Sequence, residues 1–219
     1  MYKINDLFDL SKTIAAPLFE GKTYPWEVLD DIKSFIVELG NTLPEDEYEK
    51  RGDDVWVAKD AKVFPSAYIG GPCIIDHGAE IRHCAFIRGS AIVGKNAVVG
   101  NSVELKNVVL FDNVQTPHYN YVGDSILGYK SHMGAGSITS NVKSDKTLVV
   151  IKDKDEQIET GRKKVGAILG DFVEVGCNSV LNPGTVLGRR VSVYPTSCVR
   201  GVIPEDSIFK DKDNIILRK

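Results

Sequence analysis

From Val57 onward an apolar residue recurs at every sixth position: Val57, Val63, Ile69, Ile75, Ile81, Ile87, Val93, Val99, Leu105 and Phe111. Four places after each of the first nine comes a small or β-branched residue: Ala61, Ala67, Cys73, Ala79, Ala85, Ala91, Ala97, Val103 and Val109. A helix spaces its apolar residues three and four apart, and a half-buried strand spaces them two apart. Neither produces a period of six. Short strands separated by turns do, when the turns stack them into a solenoid whose repeats bury their apolar sides in one column. Gly70, Gly94 and Gly100 each follow the large apolar residue, where a tight corner suits glycine.

The rhythm fails over residues 115–126, QTPHYNYVGDSI, which reads as a loop holding His118. It returns in a shifted phase at Leu127 and Met133, and again at Leu169, Val175, Leu181, Leu187, Val193 and Val199. A second interruption, residues 142–167, is charged apart from the apolar run 148–151. It is expected to project from the coil as a loop or hairpin, with 152–164 as a solvated excursion.

Ahead of the repeat, residues 25–40 place Val28, Leu29, Ile32, Phe35, Ile36 and Leu39 on one helical face. Pro25 suits the first turn of that helix and Gly40 its stop. A shorter helix is expected over 4–15, and 41–54 reads as an acidic linker. The organisation is therefore a helical arm and linker over 1–54, a mainly β coil over 55–203, and a tail over 204–219 once Pro204 ends the rhythm. The arm is expected to cap an end of the solenoid or to contact a neighbouring subunit, because open solenoid ends need cover.

Composition narrows the function classes. The chain has 219 residues, 42% hydrophobic and 26% charged, with a net charge of -3 from 27 basic and 30 acidic side chains. That balance gives no reason to expect nucleic acid or an anionic membrane as partner. No apolar run approaches the roughly 18 residues of a membrane span, and MYKINDLFDL lacks a basic segment followed by an apolar one. A cytoplasmic location is the expectation. Cys73, Cys84, Cys177 and Cys198 form no CxxC pair, so free thiols are expected and no metal in catalysis.

The chemistry-bearing stretch is 87–141, with the segments VELKN, HYNYVGD and GAGSITSN at fixed separations. Taken singly, Arg88 and Lys106 read as solvated charges, Tyr121 as packing and His118 as a surface histidine. Taken together, they and the hexad rhythm resemble the hexapeptide-repeat acyltransferases, whose fold is a left-handed parallel β-helix. The resemblance is most specific to the glucosamine-1-phosphate N-acetyltransferase domain of the bifunctional bacterial enzyme that makes UDP-N-acetylglucosamine. As fold it covers about residues 57–203.

The resemblance implies roles residue by residue. His118 is the catalytic base. Arg88 and Lys106 hold the phosphate of an amino-sugar phosphate, Glu104 lies beside the sugar, and Tyr121 contacts both. Ala135 and Asn141 lie near acetyl-CoA, the co-substrate, and Cys177 and Pro195 line the coenzyme A groove. His132 stands where that family has asparagine and is assigned to the substrate, and Val142 stands where it has a second aromatic residue. A homotrimer with sites between subunits is implied, with coenzyme A contacts coming from a different subunit than His118. The family's uridyltransferase domain has no counterpart in residues 1–56, which hold no glycine-rich nucleotide loop; acetyl transfer without nucleotidyl transfer is expected.

The residues suit this reaction. An ammonium cannot attack a thioester, and histidine, with an ordinary pKa of about 6.5, can take its proton near neutrality. A backbone N–H can stabilise the oxyanion, and the GAG at 134–136 lets a ligand come close to the main chain. Direct transfer needs no acyl-enzyme. Three rivals stand beside this reading: another amino sugar or a nucleotide-linked sugar as acceptor, a non-catalytic trimeric scaffold, and a zinc carbonic anhydrase of the same fold. The last needs about three convergent nitrogens, and His77, His83, His118 and His132 lack its closely spaced pair.

Overall fold

The computed structural model describes residues 1–154 and 156–218. The repeat folds as a left-handed parallel β-helix with three faces. The first face stacks Val55–Ala58, Cys73–Ile75, Ala91–Val93, the ends of Glu104–Leu110 and Tyr121–Leu127, then Ala167–Leu169, Thr185–Leu187 and Val202–Ile203. The second runs from Lys62–Val63 through Glu80–Ile81, Val98–Asn101, Gln115–His118, His132–Met133, Glu174–Val175 and Ser192–Val193 to Ser207–Asp211. The third carries Tyr68–Ile69, Phe86–Ile87, the starts of Glu104–Leu110 and Tyr121–Leu127, then Ile138–Thr139, Val180–Leu181 and Cys198–Val199.

The broken rhythm is a change of phase, and the chain does not leave the coil at His118. Glu104 pairs with Phe86, 18 residues back, whereas Val108 pairs with Ala91, 17 back. One residue is lost at the corner 106–107, and another at 123–124, where Val122 and Leu127 both remain in the inward column. Left-handed corner residues record the same slips: Cys84, Ser90, Asn96 and Ser102 lie six apart, then Asn107 five on, Asn113 and Tyr119 six apart, and Asp124 five on. Residues 115–118, expected in a loop, are thus a strand of the second face. The inward residue after Leu105 is Leu110, not Phe111. Phe111 is fully buried outside that column, 4.9 Å from Phe8 and 5.8 Å from Phe19, ring centre to ring centre.

Gly94 and Gly100 are needed for close approach rather than for an unusual φ. A Cβ on Gly94 falls 2.6 Å from the carbonyl carbon of Phe111, and one on Gly100 falls 1.6 Å from the oxygen of Pro117.

The arm covers a face, not an end. Its pieces are Ile4–Leu7, the tight turns Leu10–Lys12, Ala16–Phe19 and Pro25–Asp30, and the helix Ile32–Gly40. Proline at the start and the apolar residues of 28–36 produce the helical segments expected, but split at Asp31. They lie on the first face, where the outward residues Trp56, Ile74, Ile92, Val109, Ile126, Ile168 and Val186 are buried as fully as the inward ones. Apolar triplets such as CII, AIV and VVL are strands covered on both sides, as in other buried parallel sheets. The expected linker includes a strand, Tyr48–Lys50, antiparallel to the first rung.

The insertion after Asn141 folds back on the coil. Val150–Asp153 and Glu156–Glu159 form an antiparallel hairpin whose Val149 and Ile151 are buried, and the amine of Met1 donates to Glu156 at 2.7 Å. At the other end the expected tail adds a rung, Ser207–Asp211, with Phe209 buried beside Val193. Asn214–Leu217 then returns antiparallel to it. No helix among the described residues is long and apolar enough to cross a membrane.

Candidate functional site

One edge of the prism, where the second face turns into the third, carries four of the residues picked out from sequence. The Gly136 N–H donates to the carbonyl of His118 at 3.1 Å. The Asn178 N–H donates to Ala135 at 2.8 Å, and the Thr196 N–H to Cys177 at 2.8 Å. His118, Ala135, Cys177 and Pro195 therefore occupy successive rungs of one ladder, and parallel rungs lie about 4.8 Å apart. The column spans about 14 Å, and His118 and Cys177 are exposed along it.

Asn120 fixes the histidine end. Its Oδ1 accepts from the His118 N–H at 3.2 Å, while its buried amide donates to Gly134 O at 2.8 Å and Ser137 O at 3.0 Å. This ties the backbone of His118 to the Gly134–Ser137 corner above it. Among the described residues the imidazole, on an exposed residue, has no hydrogen-bond partner. Gly134 N–H donates to Val175 O and Gly136 N–H to His118 O. Of that glycine-rich corner, the Ala135 N–H is left without a protein acceptor among the described residues.

A second group sits on the third face and its corner with the first. Arg88 donates to Glu104 at 2.8 Å, and the carboxylate beside it holds the guanidinium pKa above its ordinary value. Glu104 lies one rung below Tyr121. Burial raises the phenol pKa of Tyr121, so it stays protonated at neutral pH. Its oxygen accepts from Asn141 Nδ2 at 3.2 Å, which leaves its own hydrogen free to donate. Asn141 also donates to Asp124 at 2.5 Å. Asp124, almost fully buried, accepts from Asn107 at 2.9 Å and from Lys106 Nζ at 3.4 Å.

Asp124 is thus the hub that orients Lys106, Asn107 and Asn141, and sequence reading passed over it although it closes the HYNYVGD segment. Asn120 was passed over in the same segment. Asn141, which the resemblance places near acetyl-CoA and the reacting centre, contacts Tyr121 and Asp124. His132 is not brought to either group. It lies on the second face, where its Nδ1 meets Glu174 at 2.9 Å in a shallow cavity with Gln115 and Lys130. His77 is held between Asp60 and Glu47, and His83 against Ser66. Among the described residues no three His, Cys, Asp or Glu side chains gather as metal ligands.

The third-face group opens at its corner onto a cavity of about 730 Å³, which Arg88, Lys106, Asn107 and Asp124 line together with the arm and the residues after the hairpin. None of the described residues of 152–164 is buried, as a surface excursion requires, but one side chain departs from that reading. Arg162 is packed between arm and coil with its side chain only 14% exposed, and it pairs with Asp30.

The family described as the GMPPB C-terminal domain matches residues 69–216. A bifunctional sugar-1-phosphate nucleotidylyltransferase/acetyltransferase from Sulfurisphaera tokodaii is 32% identical over 192 residues, which cover 85% of this chain and 47% of that protein. The bifunctional protein GlmU of Methanococcus maripaludis is 32% identical over 111 residues, covering 51% of this chain and 27% of its own. The chain spans less than half the length of these relatives. Among solved structures, the acetyltransferase domain of PglB from Neisseria gonorrhoeae matches over 88% of this chain and 66% of its own, at 16% identity and a TM-score of 0.34. That likeness is too distant to bear on the substrate.

Proposed function

The chain belongs to the family of the GMPPB C-terminal domain, and from that premise we propose that it is an acetyl-CoA-dependent N-acetyltransferase acting on an amino-sugar phosphate, with glucosamine-1-phosphate as the first acceptor to test. The observation that carries this reading is the single ladder holding His118, Ala135, Cys177 and Pro195, beside a face that presents Arg88, Lys106 and Tyr121. An extended thioester lies along the ladder with its acyl end at the histidine, so in this reading Cys177 and Pro195 serve the His118 of their own chain and not, as the resemblance implied, that of a neighbouring subunit. A phosphate is met by the guanidinium and the ammonium, which suit it by charge and by paired donors.

His118 takes the proton from the acceptor ammonium at or before attack. Asn120 and the Gly134–Ser137 corner hold its backbone while this happens. The Ala135 N–H, one rung above, donates to the oxygen that gains charge as the nitrogen adds to the carbonyl. The tetrahedral centre then collapses with loss of the coenzyme A thiolate, which takes up a proton. Tyr121 donates its hydroxyl hydrogen to the sugar or its phosphate.

A homotrimer completes the proposal. The arm already covers the first face, so a threefold contact is left to the other two, and the third exposes Tyr68 at 60% and Phe86 at 43%. The test is coenzyme A release from acetyl-CoA with glucosamine-1-phosphate, run beside a solution mass measurement. Release that depends on the amino sugar, by a species of three chains, supports the reading. No release with any amino-sugar phosphate or nucleotide-linked amino sugar overturns the activity, and a fully active monomer overturns the trimer.

A further inference from the structure

The cavity at the junction of arm, coil and hairpin is far larger than one phosphate needs, and its charge is opposite to that of the chain. Six cations line it: Lys33, Arg88, Lys106, Arg162, Lys163 and Lys164. Among the lining residues only Asp30 and Asp124 oppose them, and Arg88 is paired besides with Glu104, in a protein whose net charge is -3. Asp124 is paired with Lys106, and Asp30 with Arg162. Lys33, Lys163 and Lys164 have no ion pair among the described residues. The Nε of Arg162 is buried without a hydrogen-bond partner. Pro72 and Leu29 add apolar wall. A volume of about 730 Å³ falls in the range of small-molecule sites.

These groups come from parts of the chain far apart in sequence, and they are fastened together. Asn107 donates both to Leu29 O of the arm, at 3.1 Å, and to Asp124. Like charges crowd together only at an energetic cost, which a bound polyanion removes. Arg88 and Lys106 line the cavity from the coil. The arm and the residues after the hairpin supply a second group of cations beyond them.

We infer that this outer group, Lys33, Arg162, Lys163 and Lys164, is a subsite for a second phosphate, so that the amino-sugar phosphate of the reading above is one whose phosphate is extended to a nucleoside diphosphate. The inference rests on the acyltransferase reading for calling this ligand the acceptor. The anion site itself stands on the cavity alone. The inner phosphate of the diphosphate meets Arg88 and Lys106, the outer meets the hairpin cations, and the nucleoside lies against Pro72 and Leu29.

The test is equilibrium binding to the full chain, without acetyl-CoA, so that its outcome is independent of turnover. Orthophosphate, inorganic pyrophosphate, and uridine and guanosine diphosphates are the probes, measured on the wild type and on Lys163→Ala/Lys164→Ala, two exposed residues whose replacement leaves the core intact. Pyrophosphate is expected to bind at least tenfold more tightly than orthophosphate, roughly the effect of adding one or two charge-assisted contacts. One of the nucleoside diphosphates is expected to bind more tightly still, and the double variant to lose most of both preferences. Equal affinity for the two inorganic anions, or a preference that survives in the double variant, overturns the subsite. Pyrophosphate binding as tight as that of both nucleoside diphosphates assigns the cavity to a free polyphosphate and overturns the nucleotide-linked acceptor. Coenzyme A release that fails with every amino sugar while these preferences hold removes the enzymatic reading and leaves the anion site.

Discussion

The backbone N–H of Gly136 donates to the carbonyl of His118 at 3.1 Å, and this single bond sets Ala135 one rung above the imidazole. The relation puts the proposed base and an unengaged N–H side by side on one ladder, an arrangement that suits acyl transfer. Cys177 and Pro195 continue the same ladder, so the groove is expected to be sensitive to bulk along its length. Cys177→Trp, at an exposed position, is expected to raise KM for acetyl-CoA by on the order of tenfold, through a clash that the free protein does not feel. Steady-state kinetics with the acceptor saturating, beside a melting curve close to wild type, is the check. An unchanged KM places the thioester elsewhere.

Asp124 holds the acceptor side. Replacing it with alanine strands Lys106, Asn107 and Asn141, which all donate to it. The expected cost is roughly 2–4 kcal/mol of stability, the scale for breaking a buried hydrogen-bonded charge network. Urea unfolding gives that figure. The acceptor KM should rise as well, with the KM for acetyl-CoA little changed. A larger effect on acetyl-CoA than on the acceptor argues against Asp124 organising the phosphate end.

Gly100 links the scaffold to the proposed base. A Cβ there falls 1.6 Å from the oxygen of Pro117, the residue before His118. Gly100→Ala is expected to cost roughly 1–3 kcal/mol as an overpacking change, and to lower kcat by displacing the strand that ends in His118. Hydrogen exchange of residues 115–120 is expected to quicken in the variant. A variant as stable and as active as wild type contradicts the close approach.

The last rungs are tied by Arg190, whose guanidinium pairs with Asp206 at 2.5 Å and holds that carboxyl below its ordinary pKa of 3.8. A depressed carboxyl adds stability above its unfolded value, and that stability is lost as pH falls through the lower folded value. Asp206→Asn is therefore expected to melt below wild type at pH 7, with the gap closing below about pH 4. Both carboxyl and guanidinium are largely exposed, so the effect is small. Melting temperatures of the two proteins across pH 3–7 decide it, and a gap that widens in acid reverses the sign.

How much of this was legible in the sequence differs from element to element. The column from Val57 to Leu105 could be read because every coil there repeats at one length and large aliphatic residues alone fill the inward positions. Past Leu105 two single-residue deletions moved the phase, and Thr116 and Thr139 took inward places. A period-six reading then mistook a shorter coil for a loop and Phe111 for a column residue. The cover over the first face was written in triplets such as CII and AIV, which look like any apolar run until the arm is seen lying on them. His118, Ala135, Cys177 and Pro195 stand at unequal separations in sequence, because a hairpin is inserted between the second and third. Resemblance named them, and the ladder shows why they belong together. Asp124 escaped because a buried carboxylate that serves other side chains carries no signal of its own in the sequence.

The most direct test of the account is turnover and binding measured together for wild type and His118→Ala. Coenzyme A release with an amino-sugar phosphate or its nucleotide-linked form is followed in parallel with acetyl-CoA binding. The account predicts a fall in kcat of on the order of 10²–10⁴, the range for removing a general base, with acetyl-CoA affinity within a few fold and rescue by added imidazole. A variant that turns over at the wild-type rate contradicts the assignment of His118, and with it the chemistry read from the ladder.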